Sequence, residues 1–266
     1  MLNKLDRIHD YSSKTGLPYW KAAATLITRG LKYTRFFRDD LTPKKLKKLL
    51  QSETPVILDI GVATGTEILG WLDVFSSPEI YGFEIDERAI QDFQSVWSNE
   101  LRTGKLTLVE KAISNTDGMV EFYCSRESYV PKHGYVKNVG VGVRWPWSGS
   151  LNKPKIHLEK YNISFDEIPA IVESLRLDSW YKDNIDGKII DFIWADTNGG
   201  EREFILGGFE TLQNRVRYLY TEFFDYELYE NQVPKKWILD TLTNFEEVKV
   251  FGKTDVLLRN KQFSSN

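Results

Sequence analysis

The chain has 266 residues, 41% apolar and 27% charged, with a net charge of −3. That balance is ordinary for a globular protein with one sizeable core and allows one or two domains. No run approaches the roughly 18–20 uninterrupted apolar residues that span a bilayer, and a single cysteine, Cys124, excludes an internal disulfide or a cysteine-rich zinc site.

Met1–Asp6 is not followed by the apolar core of a signal peptide, so a cytoplasmic location is expected. His9, His133 and His157 are scattered and give no metal-ligand spacing; no metal is expected. Charge is uneven. Residues 1–50 hold twelve Lys/Arg and four Asp/Glu, whereas the remainder holds 23 basic and 34 acidic residues. Such a basic arm can meet an anionic partner, dock on its own acidic body or simply be solvated.

In chain order, residues 17–38 carry apolar groups at helical spacing with Pro18 near the start. Thr42-Pro43 opens a short basic helix, KKLKKLL. Residues 1–53 therefore read as a helical, basic extension ahead of a body at 54–266. Val56-Ile-Leu-Asp-Ile60 suits a buried parallel strand, followed by a helix through Ile68, Leu69, Trp71 and Leu72. Ile80–Glu84 is the second strand, Glu87–Leu101 the second helix and Leu106–Val109 the third strand. Met119–Tyr123 follows a turn as an added strand. Residues 124–173, rich in glycine, aromatics and lysine, break the rhythm as an insertion or cap, and Leu175–Leu177 reads as another added strand. The alternation resumes with the strand Ile189–Trp194, the helix Arg202–Gln213, the strand Arg217–Glu222 and the helix Lys235–Thr243. Phe245–Phe251 and Asp255–Leu258 read as a closing antiparallel pair. Strand–helix alternation of this kind implies a mostly parallel α/β sheet with helices on both faces.

Asp59-Ile-Gly-Val-Ala-Thr-Gly65 lies between a strand and a helix. Gly61, Ala63 and Gly65 remove side-chain bulk where backbone approaches a ligand. The spacing is not GxGxxG and lacks the GK[ST] of a phosphate loop. It is close to the glycine turn of Rossmann methyltransferases, and S-adenosylmethionine has no pyrophosphate needing a helix N-terminus. Glu84, 23 residues after Gly61 at a strand end, can accept both ribose hydroxyls. Asp86 can instead cap the next helix. Thr64, Ile85 and the loop carrying Glu110 and Ala112 complete the expected cofactor contacts; an ordinary surface loop is the alternative for Glu110–Ile113.

Several further segments resemble one family. Val109-Glu-Lys-Ala-Ile-Ser114, Asp117-Gly118 and Val120-Glu-Phe-Tyr123 look like the A-[IL]-S, DG and V-x-F segments of the FkbM methyltransferases. Ser174-Leu-Arg-Leu-Asp178 resembles their TLD segment. Asp191-Phe-Ile-Trp-Ala-Asp-Thr-Asn-Gly-Gly-Glu201, with Ile205-Leu-Gly-Gly208, resembles their D-x-I-K-x-D-V-E-G-x-E…L-x-G signature. The resemblance covers roughly residues 54–260. It implies a Rossmann-like seven-stranded sheet with an antiparallel C-terminal strand, S-adenosyl-L-methionine as cofactor and O-methyl transfer. Trp194 replaces the usual lysine, Thr197-Asn198 the usual Val-Glu, and Val62-Ala63-Thr64 the usual Ala-Asn-Ile/Val.

Ligands bind at the C-terminal ends of parallel strands, where Asp59, Glu84, Asp196 and Glu222 fall. Methyl transfer from a sulfonium needs alignment, and a hydroxyl nucleophile needs a base. Asp196 is the candidate base and also borders the cofactor. Asn198 can donate a hydrogen bond to substrate, and Glu201 either joins the chemistry or pairs with its helix dipole. Asp196, Glu201, Glu222 and Asp225 form a group that can in principle hold Mg²⁺. Aromatics of the cap, including Trp145 and Trp147, offer flat faces to a saccharide-like or other polyhydroxylated small molecule, with Ser150 in the same wall; core packing is the alternative, and Glu222, at a strand end where the family often has an acid, is a further expected substrate contact. Two rivals remain at the sequence level: a nicotinamide oxidoreductase, against which the missing GxGxxG argues, and a Rossmann-like module with an altered site that acts through a partner. The acidic body argues against nucleic acid as acceptor. Oligomeric state is not legible.

Overall fold

Thr42 caps the first described helix, α1 (Pro43–Leu50): its hydroxyl accepts the Lys45 N–H at 3.3 Å, and Pro43 occupies a first-turn position that needs no N–H partner. The computed structural model describes residues 41–128, 143–144, 146–161 and 163–263; the helical pattern at 17–38 lies outside them. Four lysines give α1 no reason to dock, but Leu46 and Leu50, one turn apart, are buried, and each buried leucine contributes about 1.5–3 kcal/mol.

Then come β1 (Val56–Ile60), α2 (Thr66–Val74), β2 (Glu79–Phe83), α3 (Glu87–Val96), α4 (Ser98–Arg102) and β3 (Leu106–Val109). The alternation is interrupted by β4 (Ala112–Ser114), β5 (Gly118–Phe122), β6 (Ser125–Ser128), β7 (Val143–Arg144), α5 (His157–Tyr161), β8 (Ile163–Phe165) and β9 (Ala170–Arg176). It resumes with α6 (Leu177–Asn184), β10 (Ile190–Ala195), α7 (Glu201–Gly207), α8 (Phe209–Arg215), β11 (Val216–Glu222), α9 (Lys235–Thr241), β12 (Phe245–Phe251) and β13 (Asp255–Asn260).

Seven strands form one sheet in the order β12-β13-β11-β10-β1-β2-β3. The five from β3 to β11 are parallel, and β13 runs antiparallel to both neighbours. All five residues of β1 are buried, as a central parallel strand covered on both faces must be. Leu58, Ile60, Ile193 and Leu219 pack with Trp180, Phe204, Leu212 and Ile238. The alternate residues Ile57, Ile80, Phe192 and Tyr218 pack with Leu46, Ile68, Trp71 and Phe93 on the other face. The architecture is therefore the Rossmann-like seven-stranded sheet with an antiparallel C-terminal strand.

Beyond shifts of one or two residues at element ends, the structure departs from the sequence reading at three helices. Leu177 begins a helix rather than ending a strand, because Leu177, Trp180 and Tyr181 bury one helical face at i, i+3, i+4. The expected helix 202–213 is two, α7 and α8, divided at Gly207-Gly208; a Cβ on Gly207 would overlap the Ser114 carbonyl, and one on Gly208 would lie 2.8 Å from Leu177 Cδ2. The expected helix 87–101 divides at Trp97, whose indole N–H leaves the helix to donate to the Thr64 carbonyl at 3.0 Å. Within the expected insertion, β9 pairs with β4 and β5 in a small sheet, and β6, β7 and β8 form another.

Candidate active site

Three loops meet at the C-terminal edge of the central strands. The first is the glycine turn after β1. Gly61 and Val62 both donate to the Phe83 carbonyl at 3.0 Å, which holds the turn against the end of β2. Gly61, Ala63 and Gly65 have φ of +80°, +47° and +68°. At Gly61 a Cβ would overlap the main-chain oxygen of Asp196; at Gly65 it would lie 2.7 Å from the rings of Phe93 and Trp97. Both glycines thus serve close approach as well as backbone conformation. Ala63 has no such exemption and holds a strained conformation.

The second loop follows β2. Glu84 is half-buried, and its carboxylate gathers three backbone N–H groups: Ile85 at 2.7 Å and Asp86 at 2.9 Å on Oε1, and Ala63 at 2.8 Å on Oε2. Burial pushes its pKa up, opposed by those donors and reinforced by the Asp86 charge. A carboxylate offers about four lone-pair directions, so Oε2, which accepts one N–H, retains one. Asp86 is the helix cap its alternative reading suggests: it accepts the Arg88 N–H at 2.9 Å and pairs with the Arg88 guanidinium. That guanidinium also donates to the Ser125 carbonyl at 2.7 Å, tying α3 to β6.

The third loop follows β10. The Asp196 N–H donates to the Ile60 carbonyl at 3.0 Å, so this loop is stitched to the end of β1. Asn198 and Gly199 have φ of +50° and +91°. Glu201 is fully buried, and its Oε1 accepts from the Thr197 hydroxyl at 2.8 Å and the Gly199 N–H at 3.3 Å. Glu201 Oε1 therefore braces the loop from beneath, while its buried Oε2 has no hydrogen-bond partner among the described residues. Burial raises its pKa to about 7, with the Asp196 charge adding to the effect.

Asp59 is 1% exposed and its Oδ2 has no hydrogen-bond partner. Burial first, then the charges of Glu67, Asp196 and Glu84, hold its pKa well above the usual carboxylate range. Glu67, in the first turn of α2, is raised to about 7 by burial and by Asp196. Asp59, Glu67, Glu84 and Asp196 thus form one acidic junction around the glycine turn. Glu67 had no signal in the sequence, where an acid in a first helical turn reads as dipole pairing. Among the described residues, no three His, Cys, Asp or Glu side chains converge as metal ligands.

The remaining expected residues are dispersed around this junction. Thr64 is buried, and Ile85 is half-buried beside Glu84. Ala112 is buried in β4. Glu110 is exposed and accepts from Gln94 at 2.6 Å. Trp145 lies outside the described residues. The Trp147 carbonyl accepts from Asn198 Nδ2 at 3.2 Å, which places segment 147–152 on the Asp196 loop. Asn152 reinforces that contact, donating to the Gly199 carbonyl at 2.8 Å and to Glu203 at 2.9 Å, and the Tyr229 hydroxyl donates to the Ser148 carbonyl at 2.8 Å. Ser150 is 1% exposed and its hydroxyl accepts the Asn152 N–H at 3.0 Å, a turn-forming partner within the wall. Glu222 ends β11 opposite Asp255.

A family model, the methyltransferase FkbM domain, matches residues 59–264. The chain belongs to the FkbM methyltransferase family. It is 38% identical over 221 residues to the 2-O-methyltransferase NoeI of Sinorhizobium fredii, covering 82% of this chain and 84% of that protein. Among solved structures, the FkbM methyltransferase of Methylobacillus flagellatus is 14% identical with a TM-score of 0.48; the match covers 96% of this chain, which spans 57% of that protein's length. Fibrillarin of Aeropyrum pernix, solved with S-adenosyl-L-methionine, is 14% identical with a TM-score of 0.42, covering 90% of this chain and 74% of that one.

This FkbM methyltransferase departs from the family pattern at Trp194, and the structure shows what the tryptophan does. Its ring stacks on Tyr220, 4.1 Å between centroids and 12° from parallel, and Tyr220 in turn packs on Phe251 and donates to Asp255 at 3.0 Å. The position that carries a lysine in the family pattern is here part of an aromatic ladder across β10, β11 and β12. No helix among the described residues is long and apolar enough to cross a membrane.

Proposed function

We propose that this methyltransferase uses S-adenosyl-L-methionine to methylate a hydroxyl of a saccharide-like or other polyhydroxylated small molecule. The observation that carries the reading is the junction itself: a glycine turn with left-handed backbone, the strand-end acid Glu84 bonded to that turn through Ala63, and the Asp196 N–H bonded to the end of β1. These residues fit the cofactor: Glu84 would accept from the ribose, Gly61 and Ala63 would line the nucleoside, and the buried Asp59 would face its cationic end. When bound, S-adenosylmethionine supplies a methyl group on a sulfonium.

The chain's own task is then to align the acceptor and take its proton. Asp196 would accept the proton of the acceptor hydroxyl as that oxygen takes up the methyl group the cofactor would supply. Asn198 spends one amide hydrogen on Trp147 and keeps the other for an acceptor oxygen. The name of NoeI, a 2-O-methyltransferase, supports an oxygen acceptor.

The test is incubation with methyl-labelled cofactor and pools of saccharides, lipid-linked saccharides, peptides and nucleic acids. Label on a hydroxyl oxygen is expected. Label only on a nucleobase or a protein nitrogen contradicts the reading, and cofactor binding without turnover on any pool favours a module that acts through a partner.

A further inference from the structure

Two sets of contacts hold the loop that carries Asp196. Glu201 Oε1 accepts the Thr197 hydroxyl and the Gly199 N–H. The Tyr229 ring lies against the Gly199 main chain: a Cβ on Gly199 would come within 2.7 Å of Tyr229 Cδ2 and 2.8 Å of Tyr229 Cβ. Asn198 and Gly199 are both left-handed, a shape that persists where surrounding contacts enforce it. Tyr229 is in turn fixed to the cap. It is 1% exposed, its hydroxyl donates to the Ser148 carbonyl at 2.8 Å, and its ring packs on His157 with 4.6 Å between centroids. On either side of it, the Leu228 carbonyl accepts the Lys155 N–H at 2.7 Å and the Glu230 N–H donates to the Lys153 carbonyl at 2.9 Å. Asn152, on the same cap segment, donates to the Gly199 carbonyl at 2.8 Å. Burial, then the charges of Asp196, Glu222 and Glu201, hold the phenol well above its ordinary pKa, so it remains a donor.

We propose that Tyr229 is a positioning residue for methyl transfer: through Gly199 it holds the Asp196 loop in register with the cap segment at 147–155. This rests on the assignment of Asp196 as base proposed above. The phenol's one proton is spent on Ser148, so Tyr229 acts on the reaction through the loop. Alignment is where rate is lost, since a displacement of about 1 Å at the reacting groups can cost on the order of 10²-fold. Tyr229→Phe keeps the ring on Gly199 but releases Ser148. The loop then loses a tie to the cap, while the Glu84 bond to the glycine turn stays as it is.

Amide hydrogen exchange of the full chain, read by mass spectrometry, tests the contact without an acceptor. The Asp196, Gly199 and Gly200 N–H groups are all hydrogen-bonded, so this loop exchanges slowly in the native chain. In Tyr229→Phe, residues 196–204 should exchange roughly three- to tenfold faster, the worth of one hydrogen bond. Exchange in β1, β2 and β3 and affinity for S-adenosylhomocysteine should hold. Faster exchange throughout the chain, as a merely structural residue would give, or no change at 196–204, overturns the inference. Turnover is then measured with methyl-labelled S-adenosylmethionine on whichever of the saccharide, lipid-linked saccharide, peptide and nucleic-acid pools the native chain labels. The kcat of Tyr229→Phe should fall about tenfold with the KM for S-adenosylmethionine unmoved. Asn152→Ala, which cuts the other tie to Gly199, should behave alike, and Tyr229→Phe should cost little more in the Asp196→Asn background. Native turnover in Tyr229→Phe, or losses that multiply independently, overturns the inference and leaves Asp196 as the base. Full activity of Asp196→Asn alone overturns both.

Discussion

A Cβ at residue 61 would overlap the main-chain oxygen of Asp196. The turn that would receive the nucleoside and the loop that carries the candidate base are therefore in backbone contact, and neither can move without the other. Gly61→Val should damage both. Backbone strain at a φ of +80° costs about 1–3 kcal/mol before the clash is counted. The denaturation midpoint should fall and cofactor affinity should fall with it; an unchanged midpoint would show that the two loops are not locked together.

Asp196→Asn addresses the proton. The variant keeps the side-chain shape and the main-chain bond to Ile60, so folding should persist and cofactor affinity should change far less than turnover. Turnover on a hydroxyl acceptor should fall by about 10²–10⁴-fold, the usual worth of a placed base. Full activity would leave the reaction class intact and remove Asp196 as the base.

Glu201 should make stability depend on pH. Its pKa rises from 4.5 to about 7 on folding, so between those values the folded state binds more protons than the unfolded one, and stability declines as pH rises. Its contribution is complete below the unfolded pKa and is lost by the time pH passes the folded one. A displacement of that size corresponds to roughly 3 kcal/mol. Glu201→Gln, which cannot titrate, should flatten this part of the profile in chemical denaturation at pH values spanning the window. Parallel profiles for variant and native chain would show that Glu201 does not change its ionisation on folding.

The sheet was legible because its signals are local and periodic. An apolar β1 followed by a glycine turn, and an acid closing β2, announce themselves within about 25 residues. The helix divisions were not, because apolar spacing continues through Trp97 and through Gly207-Gly208. What ends those helices is a long-range contact: an indole reaching Thr64, and the glycines pressed on Ser114 and Leu177. The contact of Trp147 and Asn152 with the Asp196 loop joins segments some fifty residues apart and leaves no mark in either. Trp194 was visible as a departure, but its stack on Tyr220 depends on the parallel register of β10 and β11. Ala63, in a left-handed conformation, stands where the family pattern has asparagine, a residue that tolerates that conformation better.

The central claim is that the junction of Gly61, Glu84 and Asp196 holds the cofactor, and calorimetric titration of the purified chain with S-adenosylmethionine and S-adenosylhomocysteine tests it most directly. Both ligands should bind at one site, and Glu84→Ala should weaken both by about 1–3 kcal/mol, because the ribose loses a charged acceptor. No heat of binding for either ligand at millimolar concentration, or undiminished affinity in a folded Glu84→Ala variant, would contradict the account.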